Sequence, residues 1–318
     1  MKSIKNLSQW LLIFGFVFSI AACSDDDDNM TTEDPQTIAT IATETDDLSI
    51  LVQALVKADL VSVLEGTGPF TVFAPTNAAF GDLLAAKGFA SLDDVPTDVL
   101  TSILLNHVVN GNFQSSGLST GYVATNATEA STGNNLSLYI NTDNGVTLNG
   151  VSNVITADVN ASNGVVHIVD AVIDLPTVVT FATADNTFST LVAALTRSDL
   201  TTDFVGVLSG TGPFTVFAPT NDAFGSLLTE LNLNALGDIP VATLDAVLKY
   251  HVVGGSNVLS TMLSDDMAVE TLADAEFTID LENGAEIVDG QNRRTSIVVT
   301  DVQASNGVVH VISNVILP

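Results

Sequence analysis

The pattern of hydrophobic positions along this chain repeats after about 144 residues. Apolar residues at helical spacing open each half, at 48–55 and again at 188–195. The repeat is strongest over a stretch of 19 residues, 66–84 and 210–228, in which 17 positions are identical. An internal repeat of this length indicates two copies of one structural unit.

The repeated stretch predicts a strand followed by a helix. Residues 70–74 (FTVFA) are aromatic and β-branched, which favours a buried strand. Pro75 lacks a backbone N–H and ends the strand, and Thr76 or Asn77 can cap the helix that follows. Residues 214–228 repeat the arrangement. The spacing also places four extra residues near 201–205 in the second half, where we expect a loop.

A second helix is predicted before residues 107 and 251. In both copies apolar residues at i, i+3 and i+4 precede a histidine at i+7, so His107 and His251 lie on the apolar face. The remainder of each half is rich in strand residues and in Asn-Gly or Asp-Gly turn signals. Helices followed by strands favour an α+β fold.

Three segments resemble the signature motifs of fasciclin-type (FAS1) domains, in the family's order and in both halves. They are the repeated stretch, the Tyr-His segment at 105–109 and 249–253, and the closing motif at 163–169 and 306–312. The resemblance covers residues 37–318 and implies two tandem FAS1 domains, each a β-sandwich wedge with packed helices. It also implies a non-enzymatic adhesion or matrix-interaction role. One departure is Asn106, which stands where the second copy keeps Tyr250.

The boundaries that follow are a lipoprotein signal peptide at 1–22, an acidic tether at 23–36, and FAS1 domains at 37–176 and 177–318. Lys2 and Lys5 precede a short apolar run, too short for a membrane span, that ends in Ala-Ala-Cys23. This resembles a bacterial lipoprotein box, which implies lipidation at Cys23 and export to the outer membrane or cell surface. The SDDDD run after Cys23 is either a surface-export signal or a solvated spacer.

Charge restricts the partners. The net charge is −29, and it falls to −31 when Lys2 and Lys5 leave with the leader. Such an acidic chain has no basic stripe for phosphate contacts, so we expect no nucleic acid partner. The expected partners are an extracellular protein or polysaccharide of unknown identity, and the membrane through the lipid anchor.

The four histidines are His107, His167, His251 and His310, and we expect them to be structural rather than metal ligands. No HExxH or paired-cysteine motif accompanies them, so neither a metal nor a cofactor is expected. If Asn163-Gly164 forms a two-residue turn, His167 pairs with Asn160, and the same count pairs His310 with Gln303. Each ring would then face an amide.

One catalytic pattern occurs, and its context argues against an enzyme. Residues 117–121 match G-x-S-x-G, but no buried strand precedes them and no helix follows. We therefore expect no catalytic residues. A hydrolase or glycan-processing accessory with an unrecognised site, or a passive surface spacer, remains the alternative to adhesion.

The candidates for partner contact are Tyr250 and His251. By resemblance, the Tyr-His segment is linked to partner recognition. On the predicted helix Tyr250 lies about 100° from His251, toward the edge of the apolar stripe. It could offer its ring and hydroxyl to a partner, or it could pack between helix and sheet.

Overall fold

A computed structural model describes residues 36–318. The predicted leader, Cys23 and nearly all of the acidic tether lie outside the described residues. Residues 36–318 all belong to one compact unit.

The first repeat has helices before and between its strands. Its helices are α1 (Ile38–Glu44), α2 (Ser49–Lys57), α3 (Val61–Leu64), α4 (Asn77–Lys87) and α5 (Thr97–Leu105). Its strands are β1 (Phe70–Pro75), β2 (Val108–Asn110), β3 (Gly121–Thr128), β4 (Asn135–Asn141), β5 (Thr147–Leu148), β6 (Ser152–Ala161) and β7 (Gly164–Val169).

The second repeat follows the same order. Its helices are α6 (Val178–Ala184), α7 (Ser189–Leu195), α8 (Phe204–Leu208), α9 (Asn221–Glu230) and α10 (Val241–Tyr250). Its strands are β8 (Phe214–Pro219), β9 (Val252–Gly254), β10 (Ala268–Glu270), β11 (Glu276–Asp280), β12 (Glu286–Val288), β13 (Arg294–Ala304) and β14 (Gly307–Ile312).

The repeated stretch folds as its sequence predicts. β1 ends at Pro75, and the Thr76 hydroxyl accepts a hydrogen bond from the backbone N–H of Ala79 at the start of α4. Thr220 caps α9 in the same way. The capped turn therefore fixes how the chain leaves the sheet for the helical layer.

The strands of each repeat form one curved sheet. In the first repeat the order β1 to β7 closes on itself, because β7 pairs in parallel with β1. The second repeat has the equivalent parallel pair, β14 with β8, but no strand ladder joins β9 to β10 among its described strands. A single bond from the Leu272 N–H to the Val252 carbonyl spans that gap.

The predicted pairing of His167 with Asn160 and of His310 with Gln303 is wrong. The ladder pairs Asn160 with Val165, because the turn residues are Ser162 and Asn163 and Gly164 already belongs to β7. Counting on from that turn puts His167 opposite Asp158, where the bulge begins. His310 lies opposite Asp301 for the same reason.

The side chain of Asn163, in the turn between β6 and β7, bonds to the start of α1 and to the segment at the end of α3. Its side-chain oxygen accepts from the Ile38 N–H at the start of α1, at 3.0 Å. Its amide donates to the carbonyls of Leu64 at 2.7 Å and Gly66 at 2.8 Å. Asn306 makes the corresponding three bonds in the second repeat.

The glycine that follows Asn163 is also required, since a Cβ on Gly164 would lie 1.9 Å from the Phe70 carbonyl oxygen.

The two repeats pack directly on each other. Tyr122 and Tyr139 of the first join the core of the second, where the Tyr122 ring meets Phe181 edge-on at 5.5 Å. The Tyr122 hydroxyl donates to Asp185 at 2.9 Å. Each repeat otherwise has its own core between helices and sheet.

Candidate interaction surface

His107 and His251 are buried at the ends of α5 and α10, with both ring nitrogens bonded to backbone. His107 Nδ1 donates to the Ile103 carbonyl at 2.7 Å, and Nε2 accepts from the Ile173 N–H at 2.8 Å. His251 bonds in the same way to the Val247 carbonyl and the Ile316 N–H. An amide N–H that donates to Nε2 requires that nitrogen to be unprotonated, so these rings are neutral.

Burial reinforces the neutral state. Desolvation lowers the pKa of His107 to about 4 and the pKa of His251 to about 4, against a usual 6.5. A ring with no proton to exchange near neutral pH and no free nitrogen is a poor catalyst or metal ligand.

His167 and His310 accept hydrogen bonds from the backbone N–H groups of the bulge residues, Asp158 and Asp301. His167 Nε2 donates to the Phe113 carbonyl at 2.9 Å, and Nδ1 accepts from the Asp158 N–H at 3.2 Å. The ring stacks on Phe73 at 5.5 Å. His310 repeats the arrangement, and desolvation lowers its pKa.

Tyr250 is fully buried, so the structure places neither its ring nor its hydroxyl at the surface. The hydroxyl donates to the Glu276 carbonyl at 2.7 Å and accepts from the Gly290 N–H at 3.1 Å. Its ring meets Phe277 edge-on at 5.9 Å. This geometry favours the packing interpretation. Asn106 is buried in the first repeat and donates to the Asp174 carbonyl at 3.1 Å.

The G-x-S-x-G segment does not form a nucleophile elbow. Ser119 lies in an irregular stretch between a short 3₁₀ helix (Ser115–Gly117) and β3. A strand-to-helix turn is therefore absent at this place in the described chain.

Sequence reasoning missed an aspartate–serine pair at each bulge. Asp158 has a left-handed backbone (φ 62°), and its carboxylate accepts from the N–H of Ser115 at 2.7 Å and from the Ser115 hydroxyl. Those bonds hold the pKa of Asp158 below its usual value. Asp301 and Ser260 form the same pair. The recurrence of these residues at nearly the repeat spacing could have revealed them.

The bulge turns three consecutive strand residues toward solvent in each repeat. We call residues 155–157 and 298–300 the bulge strips. Ile155 and Val298 occupy equivalent positions and each is 56% exposed, and Val299 is 40% exposed. Beyond Asn153, the ladders join β6 only to β7, and beyond Ser296 they join β13 only to β14. Exposed β-branched side chains at a matched place in both repeats form a candidate contact surface.

The cations of residues 36–318 are all engaged within the fold. Six of the eight basic residues lie there, against 31 of the 37 acidic ones, a formal net charge of −25. Lys57 donates to three backbone carbonyls, and the others pair with carboxylates: Lys87, Arg197, Lys249, Arg293 and Arg294. The surface presented to a partner is therefore acidic.

Residues 36–318 contain neither a clustered set of metal ligands nor a single membrane-spanning helix. No group of three or more His, Cys, Asp or Glu side chains there is placed to hold a metal ion. No single helix in that range is long and apolar enough to cross a membrane. The helices Val178–Ala184 and Asn186–Leu195 reach that length and apolarity only together, and the chain bends by 94° between them.

Comparison with known proteins places both repeats in one family. The Fasciclin domain model matches residues 46–176 and 186–318. Transforming growth factor-beta-induced protein ig-h3 of Sus scrofa is 30% identical over 257 residues, which cover 80% of this chain and 35% of that protein. Protein sll1483 of Synechocystis sp. is 42% identical over 142 residues, 45% of this chain and 73% of that protein. The chain thus spans about a third of the first relative's length.

A solved structure shares the fold. It is the FAS1 domain pair from the insect cell adhesion molecule Fasciclin I, with a TM-score of 0.52, 21% sequence identity, and coverage of 86% of this chain and 97% of that one. The expected pair of α+β FAS1 domains is confirmed by this likeness and by the two family matches. The chain belongs to the fasciclin domain family.

Proposed function

We propose that this chain is an exported, lipid-anchored adhesion or matrix-interaction protein that binds its partner without catalysing a reaction. The observation that carries the binding role is the pair of bulge strips, at which each fasciclin domain exposes β-branched side chains in the same place. Support also comes from relatives of the family, since the structural neighbour is named as a cell adhesion molecule.

Charge indicates the kind of partner. A surface of net charge −25 whose cations are engaged internally repels acidic polymers, attracts basic ones and does not repel neutral ones. An extracellular protein with basic residues around an apolar patch, or a neutral polysaccharide, fits the strips better than an acidic glycan. Apolar contacts would contribute most of the affinity.

The test replaces the strips and measures attachment. The double variant Ile155→Ser/Val298→Ser should keep its melting temperature, because both side chains are exposed, and should lose retention on envelope proteins or polysaccharides. Val151→Ser is the matched control, since Val151 is 60% exposed but lies outside the strips. Retention equal to that of the unmodified protein would exclude the strips as the binding surface. No retention of either protein would favour the passive spacer.

The lipid anchor is tested separately. Cys23→Ser should abolish acylation and release the protein from the membrane fraction, as measured by mass spectrometry of the N-terminal peptide and by fractionation. Continued acylation and membrane association of the variant would contradict the lipoprotein proposal and leave the adhesion proposal standing.

A further inference from the structure

The second domain contains a partly open apolar cavity among helices α6, α7 and α8. Its volume is about 170 Å³. Buried Phe188, Leu191, Phe204 and Leu208 line it, and Val205, 40% exposed, also lies on its wall. In another protein an engineered cavity of about 150 Å³ lined by Leu, Ile and Phe binds benzene, so the volume here suits a ligand of that size.

The lining offers no polar group to a ligand. Its polar side chains are Thr183 and Thr196, and both hydroxyls donate to carbonyls of their own helices. Thr183 bonds to Val179 at 3.0 Å, and Thr196 bonds to Val192 at 2.8 Å. A charged or strongly polar ligand would lose its hydration here without compensation. The lining therefore selects an uncharged apolar group.

The first domain has the equivalent cavity with different chemistry. It is about 190 Å³, and seven of its lining positions match lining positions of the second at the repeat spacing. Glu65 and Thr40 line it as well, and the phenylalanines are missing. Glu65 is exposed, so it adds a charged residue at the solvent side of this cavity, which makes the cavity the poorer site for a hydrocarbon.

The two cavities differ in lining partly because the second domain carries the four-residue insertion near 201–205. The four extra residues lie between Leu200 and Val205, and at the 144-residue spacing that follows them Phe204 stands where the first domain has Leu60. Asp245 accepts hydrogen bonds from the Thr201 hydroxyl at 3.1 Å and the Thr202 N–H at 3.2 Å. Asp203 caps α8 through the Gly206 N–H. These bonds fix the inserted segment so that Phe204 is buried against the cavity.

We propose that the second domain binds one small, uncharged hydrocarbon of about the size of benzene in this cavity, and that the first domain does not. The proposal goes beyond adhesion and is independent of the bulge strips. The net negative charge of the chain further disfavours anionic amphiphiles such as carboxylates, which sets benzene against benzoate as the discriminating pair of probes.

The experiment measures binding of benzene and benzoate to the whole exported chain, by methyl chemical shifts and by thermal unfolding. Benzene should shift the methyl signals of Val179 and Val205 and not those of Val52. At a free concentration ten times its Kd it should lower the unfolding equilibrium constant about elevenfold. Benzoate should do neither. No shift with benzene, or an equal shift with benzoate, would overturn the proposal.

A matched pair of variants locates the site. Val192 and Val52 are equivalent residues, each partly buried and each lining its own cavity. Val192→Phe should fill the second cavity and abolish the benzene-dependent shifts, whereas Val52→Phe should leave them intact. Circular dichroism verifies that both variants fold, and buried methyl signals that match those of the unmodified chain verify an intact core. Loss of benzene binding in Val52→Phe alone would place the ligand in the first domain and contradict the assignment.

Discussion

Each of the four histidines has a ring position that its backbone partners dictate. His107 and His251 donate through Nδ1 to their own helix and accept through Nε2, whereas His167 and His310 use the opposite tautomer. Every ring nitrogen is thus satisfied by a backbone group, and one partner of each ring lies in a distant segment. These residues join helix ends and bulges to neighbouring loops, so their role in the fold is structural.

Acidification should weaken the fold through these histidines. The unfolded chain takes up protons near pH 6.5, while folded His107 and His251 resist protonation until about pH 4. Stability is therefore complete above pH 6.5 and falls as pH drops toward 4, by about 3 kcal/mol for each ring. Denaturant unfolding at pH 7 and pH 4.5 measures the loss.

The matched variants separate titration from packing. His107→Ala should cost roughly 1–3 kcal/mol at pH 7, because it leaves the Ile173 N–H without its acceptor. Its free energy of unfolding should then depend less on pH than that of the unmodified chain. An undiminished pH dependence in the double variant His107→Ala/His251→Ala would assign the acid sensitivity to other groups.

Tyr250→Asn tests what the second Tyr-His segment does. The variant copies the first domain, and we expect it to lose roughly 3 kcal/mol, since it removes a buried ring and leaves the Gly290 N–H without a partner. Its melting temperature and attachment should fall together. Unchanged melting with lost attachment would make Tyr250 a partner contact. Asn106→Tyr is the reciprocal control and should overpack the first core.

At the scale of elements, local sequence patterns predicted the helices and strands correctly. They did not predict burial or strand register where contacts with distant segments determine them. The capped helix after β1 and the apolar placement of His107 follow from spacing alone. The position of Tyr250 does not, because a helical wheel cannot show that β11 covers the end of α10. The register failed because Gly164 pairs in parallel with Phe70 of β1 and so belongs to β7 rather than to the turn.

Asn163 and Asn306, the asparagines of the two closing motifs, should each contribute as much to the free energy of unfolding as a buried core side chain. Asn163→Ala removes three hydrogen bonds that join α1, the end of α3 and the β6–β7 turn, and should cost roughly 2–4 kcal/mol. Asn306→Ala should cost a similar amount. The exposed Asn160 is the control, and Asn160→Ala should change the free energy of unfolding by less than about 0.5 kcal/mol. Equal effects at all three positions in denaturant unfolding would refute this role.

At the scale of the whole molecule, the two domains have separate cores and a shared contact. We predict from the sequence that residues 37–176 and 177–318 each fold alone and melt cooperatively. The structure adds that Tyr122 and Tyr139 pack into the second core, so both fragments should melt below the intact chain. Calorimetry of the fragments and of the pair measures this. A fragment without a cooperative transition would indicate a single folding unit.

Tyr122→Phe isolates the polar part of that contact. It keeps the ring against Phe181 and removes the bond to Asp185. The intact chain should lose about 1 kcal/mol, and the isolated second fragment supplies the baseline without the contact. An unchanged melting temperature would show that the bond contributes little to domain association.

Because every lysine and arginine in residues 36–318 is bonded within the fold, the charge of the chain affects how closely neighbouring copies can pack on a surface. Copies anchored side by side would meet acidic face to acidic face, with no lysine or arginine left to bridge them. Their repulsion decays over a Debye length of about 8 Å at physiological ionic strength and about 3 Å in 1 M salt. The closest spacing of neighbouring copies on a surface is therefore set by the surrounding electrolyte, and a saltier medium would let the same area carry a denser layer.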